Sequence, residues 1–263
     1  MIKLPVQSSV LILFSIYYAI NAANLADPAV LMPEARIALA ASYDLGGYTI
    51  TNDSVPCLMN RVHGSLTWSP FSFLNIGIDA GASQMDVAGD TTSRDTIGIF
   101  NGNYGFSGGL HVKLGSRFFY DGLVRIIAIG HATYFSTTNK DGAVYSGKDG
   151  VGTVGLQFHV PHFCYVSAGP QLYLIMGENK SYNSAVKHKY SNINNLRGWL
   201  AIDYFPTEKG LSSNKLFLSI EVSVSPKVAF DKRAPLQECG FSISFGSITK
   251  RLYGEESDVE WAP

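Results

Sequence analysis

The stretch Tyr104-Gly-Phe-Ser-Gly-Gly-Leu-His-Val-Lys-Leu-Gly115 decides the fold class. Its even positions are Tyr104, Phe106, Gly108, Leu110, Val112 and Leu114, and its odd positions are Gly105, Ser107, Gly109, His111, Lys113 and Gly115. In an extended strand successive side chains point to opposite faces, so one face here is oily and the other carries an imidazole and an ammonium. The same division runs through Leu58 to Trp68, where Leu58, Val62, Leu66 and Trp68 oppose Arg61, His63, Ser65 and Thr67.

Working outward from this stretch, the period of two returns along the chain. Ile37, Leu39, Ala41 and Tyr43 share a face near the start, and Leu74, Ile76 and Ile78 oppose Asn75 and Asp79. Val124, Ile126 and Ala128 oppose Arg125 and His131, although Leu123, Ile127 and Ile129 sit on the polar face of that segment. Val154, Leu156 and Phe158 oppose Thr153, Gln157 and His159, and Val166, Leu172 and Leu174 oppose Ser167, Gln171 and Tyr173. Leu200 and Ile202 oppose Arg197 and Asp203, Leu218, Ile220 and Val222 oppose Ser219 and Glu221, and Phe241, Ile243 and Phe245 oppose Ser242 and Ser244. The count is ten segments; the long Pro206 to Asn214 connection leaves eight and twelve as the neighbouring even counts.

Composition points the same way. Charged residues make up 16% of the 263, against roughly 25% in soluble globular domains. Gly (26), Tyr (14) and Phe (15) favour strands and tight turns over long helices. Beyond the N-terminus no run approaches the roughly 18 to 20 apolar residues of a membrane-crossing helix, whereas most of the alternating segments reach the roughly 9 to 11 of a tilted membrane-crossing strand. A soluble ligand-binding barrel would carry the reverse polarity, so the charged face is read as the interior. The net charge of −1 offers no basic stripe for nucleic acid. Cys57, Cys164 and Cys239 are too few and too scattered for a zinc site, and a Cys57 to Cys239 disulfide would span more than its reach.

The first residues read as an address. A basic start at Lys3, an apolar run from Val10 to Ile20 and small residues at Ala22 and Ala23 make residues 1–23 a cleaved signal peptide. A retained anchor is the competing reading, but the run is shorter than a bilayer span. Residues 24–33 are then expected to be a short periplasmic linker outside the barrel, residues 34–249 the barrel, and residues 250–263, with Glu255, Glu256, Asp258 and Glu260, an acidic periplasmic tail. Short connections around Pro70, Gly115 to Phe118 and Pro161 alternate with longer ones at Gly46 to Pro56, Asp86 to Asn103, Thr137 to Gly150 and Glu178 to Ser191. This is the asymmetry of periplasmic turns and extracellular loops.

Over Glu34 to Thr249 the pattern resembles the bacterial outer-membrane β-barrel superfamily. The resemblance implies an all-β antiparallel transmembrane barrel, made and inserted by barrel-assembly machinery, with outer-membrane lipid and lipopolysaccharide around it. Its most specific piece is Phe241-Ser-Ile-Ser-Phe245, which is similar to the aromatic-ended final strand that such machinery recognises; in this chain Gly246 to Pro263 follows it. The expected lumen holds Arg61, His63, Asp79, His111, Lys113, Asp121, Arg125, His131, His159, Arg197, Asp203 and Glu221. A turn centred on Pro70 sets Arg61 opposite Asp79, and one centred on Ser116 sets His111 opposite Asp121. Such pairs would fill a narrow barrel as a polar plug. The expectation is a non-enzymatic envelope protein with no cofactor, metal or catalytic residue, whose loops meet the surroundings; its oligomeric state is unread. The alternatives are a narrow passive channel lined by Arg61, Lys113, Arg125 and Arg197, and a hydrolase of omptin-like architecture using His63, Asp79 and His131, for which no omptin motif matches residue by residue.

Overall fold

A computed structural model describes residues 28–50, 55–88, 99–120, 122–160, 164–180, 187–206, 215–225, 239–249 and 252. The signal-peptide assignment and nearly all of the acidic tail lie outside them. The strands are β1 (Arg36–Ile50), β2 (Val55–Phe71), β3 (Leu74–Val87), β4 (Phe100–Asn101), β5 (Gly105–Gly115), β6 (Val124–Thr138), β7 (Val144–Val160), β8 (Cys164–Lys180), β9 (Lys187–Tyr204), β10 (Lys215–Val224) and β11 (Cys239–Ile248). Each pairs antiparallel with its neighbours, β3 pairs directly with β5, and β4 is a two-residue fringe on β3. Because β1 bonds to both β2 and β11, and β2 to β3, the sheet closes. Without β4, the ring has the ten strands read from the periodicity.

The alternation is visible residue by residue on β2. Arg61, His63, Ser65, Thr67 and Ser69 are buried, while Val62, Leu66 and Trp68 are exposed. Exposed Ile76, Ile78, Leu110, Leu114, Ile126, Leu156, Leu172, Leu200 and Phe245 continue an oily belt around the outside. The exterior is the greasy surface and the interior the polar one.

Three expectations are corrected. First, the strands run past the bilayer. Thr138 pairs with Val144, Lys180 with Lys187 and Ile50 with Val55, so three of the four stretches that the periodicity left to outer loops are largely paired strand. Above the membrane water lies outside the barrel, so the oily-outward pattern fades although backbone pairing continues. Second, the turns sit further along the chain. Phe71 pairs with Leu74 after an irregularity at Trp68, which sets Arg61 opposite Ser83 and Asp79 opposite Ser65. The next turn is closed by a bridge from Phe119 to Val124, with Tyr120 (φ 52°) and Gly122 (φ 82°) in the left-handed region, and it sets His111 opposite His131. Asp121 falls outside the described residues.

Third, the chain before β1 is inside the barrel. Ala29, Val30, Leu31 and Met32 are all buried. The segment re-enters the wall through Ala35, a non-glycine residue at φ 61°, whose N–H donates to Ser69 O (2.7 Å) and whose carbonyl accepts from Leu252 N (2.7 Å). Ile127 and Ile129, the apolar residues on the polar face of β6, are buried in the same cluster as Ala29. A Cβ at Gly115 would lie 2.8 Å from Leu31 Cδ2. Over residues 28–33 the expected linker is lumen filling, because periodicity has nothing to say about an irregular segment; residues 24–27 lie outside the described residues.

The outward assignment has a direct consequence at Val62, which is 49% exposed on the lipid face. Val62→Arg should lower the unfolding free energy in lipid by about 2–4 kcal/mol, the cost of a cation in the hydrocarbon belt. Urea titration of the refolded barrel checks it, and an unchanged midpoint would place residue 62 elsewhere.

Candidate functional site

The interior is layered along the barrel axis. At the end where β1 begins and β11 finishes, the 28–33 segment is held by its own backbone. Lys113 Nζ donates to Pro28 O (2.5 Å) and Val30 O (3.1 Å), and Arg125 Nη2 donates to Leu31 O (2.8 Å). Met32 N–H donates to Asn75 Oδ1 (2.8 Å), Asn75 Nδ2 returns a bond to Met32 O (3.3 Å), and Ala29 N–H donates to Asp203 Oδ1 (3.0 Å). Two of the expected lumen cations are thus met by peptide carbonyls. Arg125 also donates to Gln157 Oε1 and lies 4.5 Å from the Phe118 ring centroid.

The middle layer centres on Asp79. His131 Nε2 lies 2.9 Å from Asp79 Oδ1, His63 Nδ1 3.5 Å from Oδ2, and His111 Nδ1 3.8 Å from Oδ1. Outer contacts orient each ring: His63 Nε2 with Ser107 Oγ (3.0 Å), His111 Nε2 with Thr67 Oγ1 (2.8 Å), and His131 Nε2 with Thr133 Oγ1 (3.2 Å). Asp44 Oδ2 stands 4.0 Å from His63 Nδ1, and its Oδ1 accepts from Ser242 Oγ (2.7 Å). Glycine makes the room: a Cβ at Gly109 would sit 3.0 Å from Asp79 Oδ2 and 2.9 Å from His131 Nε2. Among the described residues no group of three or more His, Cys, Asp or Glu is arranged to hold a metal ion.

Above this layer Arg61 forms a buried ion pair with Asp149, which also accepts from Tyr173 Oη (3.1 Å). Arg197 donates to Gly47 O (2.9 Å), its guanidinium 5.0 Å from the Tyr48 ring centroid and 5.2 Å from that of Tyr173. Trp199 Nε1 donates to Glu221 Oε2 (3.0 Å). The outer end is then roofed by apolar and aromatic side chains, among them Ile50, Val55, Met59, Met85, Phe100 and Phe135, with Tyr48 stacked on Tyr173 at 4.2 Å.

A ring of strands with a lipophilic outside and charged residues sealed inside is stable only in a bilayer. The protein is a closed antiparallel β-barrel with the inside-out polarity of a membrane-crossing one. The 28–33 segment closes the end of the short turns, and the aromatic roof closes the end of the long hairpins.

No family model matches the chain, and no curated protein matches it. Among solved structures it is similar to the translocator domain of the autotransporter NalP from Neisseria meningitidis, at 12% identity and a TM-score of 0.44, covering 93% of this chain and 94% of that one. It is also similar to the outer membrane protease OmpT from Escherichia coli, at 10% identity and a TM-score of 0.43, covering 85% and 99%. At these values neither likeness bears on activity; the fold rests on the strand register.

Most of the residues singled out from the sequence are therefore interior, but their partners differ. Arg61 meets Asp149 and not Asp79, and His111 and His131 converge on Asp79 with His63. His159 is half-buried and stacks on Tyr165 with ring centroids 4.7 Å apart. Phe241, Ile243 and Phe245 point outward or sideways on β11, the strand that closes the ring against β1. Missed were Asn75 and Gln157 as plug contacts, the aromatic roof, and Asp149. Extending the inward parity of Gln157 and Thr153 by four residues would have found Asp149.

The Arg61–Asp149 pair carries a stability test. Arg61→Met should cost about 3–5 kcal/mol because it strands a buried carboxylate, and the double variant Arg61→Met/Asp149→Leu should recover most of that loss. Equal losses in the single and double variants would contradict the pairing.

Proposed function

We propose that the protein is a closed, non-enzymatic outer-membrane barrel that anchors a set of long surface hairpins. The observation that supports this reading is that the lumen is occupied at both ends, by the 28–33 segment below and by the aromatic roof above. An ion or solute would have to displace carbonyl-capped Lys113 and Arg125 and then stacked Tyr48 and Tyr173. A channel needs binding weak enough to release its cargo and a path to follow. The same closure weighs against the hydrolase alternative. His63, Asp79, His111 and His131 have the residue types of acid and base catalysts, but their side chains are at most 8% exposed and bonded to one another, which leaves no approach for a peptide or lipid ester.

What reaches beyond the membrane is strand. β7, β8 and β9 are 17, 17 and 18 residues long, against the roughly 9–11 a crossing requires. The surplus forms a paired β-platform on the outer side. Assembly through the closing strand, with Phe241, Ile243 and Phe245 as its lipid-side signal, belongs to the same proposal.

Purified full-length protein in a planar bilayer should give no stable single-channel steps, and peptide and lipid-ester substrates should remain intact. Reproducible steps would replace the plugged reading with the narrow-channel one. Hydrolysis that disappears in His131→Ala would establish an enzyme.

A further inference from the structure

One sector of the outer wall departs from the uniform oily belt. On β6 and β7 the directly paired Gly130 and Gly152 leave a groove of about 700 Å³, flanked by Leu114, Val154, Leu172 and Leu196. These glycines are not required by crowding. A Cβ at Gly130 would meet nothing within 4 Å, and at Gly152 only Ile129 O at 3.9 Å; Gly150, one step higher, has similar room. Glycine weakens a strand interior, and where no close packing demands it the backbone is left open to something that approaches it.

The second observation lies directly above. On the same strands, Tyr134 pairs with Lys148, Lys148 with Met176 and Met176 with Ser191, and these residues line a second groove of about 580 Å³ that also includes Glu178 and Lys189. Four residues of strand put Lys148 roughly 13 Å above Gly152, at the outer edge of the lipid belt. Among the described side chains, the cations that point outward from strands are Lys148, Lys180 and Lys189, all on the adjacent strands β7, β8 and β9. Glu178 lies opposite Lys189 across the β8–β9 pair, so the patch keeps a positive balance of three to one.

An apolar trough at bilayer depth that continues upward into lysines at headgroup height matches one kind of occupant. We propose that this face binds a phosphorylated, multiply acylated lipid of the outer leaflet, with one acyl chain against Gly130 and Gly152 and a phosphate between Lys148 and Lys189. The apolar half excludes a free phosphate or a soluble polyanion as the ligand, and the lysines exclude indifferent packing of neutral lipid. The site is on the exterior, so it does not depend on whether the lumen is closed.

Native mass spectrometry of the full-length barrel in detergent, titrated with diphosphorylated hexa-acyl lipid A, tests it. A retained one-to-one adduct is expected. Lys148→Gln/Lys189→Gln should weaken it by about tenfold or more, and Gly130→Leu, which fills the trough, should remove it. Gly64→Leu is the control: a Cβ there meets nothing closer than Ala40 O at 3.9 Å, it lies on β2 away from this sector, and the change should leave the adduct unchanged. Heat-modifiable gel migration confirms that each variant is folded. Equal adducts in wild type and both site variants, equal retention of dephosphorylated lipid A, or loss in Gly64→Leu as well would each overturn the proposal.

Discussion

In hydrocarbon there is no water to satisfy a peptide N–H or C=O, so every strand edge at bilayer depth must find a partner within the chain. Here the last edge is removed where β11 bonds to β1, from Gly46 opposite Gly240 to Ala38 opposite Ile248. Once the ring closes, the period of two does the rest. Each strand sends its oily side chains to lipid and its remaining side chains into a tube too narrow to be hydrated like bulk water.

That confinement explains the chemistry of the interior. Charges within the tube are costly unless they are paired or bonded, and three different solutions appear along the axis. The chain's own N-terminal segment supplies carbonyls to Lys113 and Arg125, a single carboxylate, Asp79, gathers three imidazoles, and Arg61 takes Asp149. Inward glycine at position 109 is part of the second solution, since a methyl group there would press on both Asp79 and His131. Where the barrel rises out of the bilayer the outside becomes aqueous and the inside turns apolar, as in a water-soluble barrel. The odd-numbered face of β2 records the change within a few residues, from Ser65, His63 and Arg61 to Met59 and Cys57.

This switch marks how far the sequence could be read. The ten crossings, the lumen face and the oily belt were legible because a single periodicity encodes them. The partners were not, because register depends on turn geometry: the irregularity at Trp68 and the left-handed residues Tyr120 and Gly122 displaced both hairpins from the turn centres that Pro70 and Ser116 suggested. The plug was illegible for another reason. Pro28 to Pro33 makes its polar contacts through backbone atoms, and backbone carries no pattern in a sequence. Asp149 was within reach, and was lost only by ending the strand where its outward face ceased to be oily.

Everything inside the barrel depends on which face of the wall meets lipid, and two tryptophans report on this directly. Trp68 is outward and 45% exposed, whereas Trp199 is inward and 3% exposed, bonded to Glu221. The decisive measurement is fluorescence quenching by brominated-chain lipids, comparing Trp261→Phe with Trp68→Phe/Trp261→Phe after both are refolded into bilayers. Strong quenching in the first protein and its near-absence in the second is the predicted result. Quenching that survives the loss of Trp68 would put Trp199 in contact with lipid and contradict the inside-out assignment on which the rest is built.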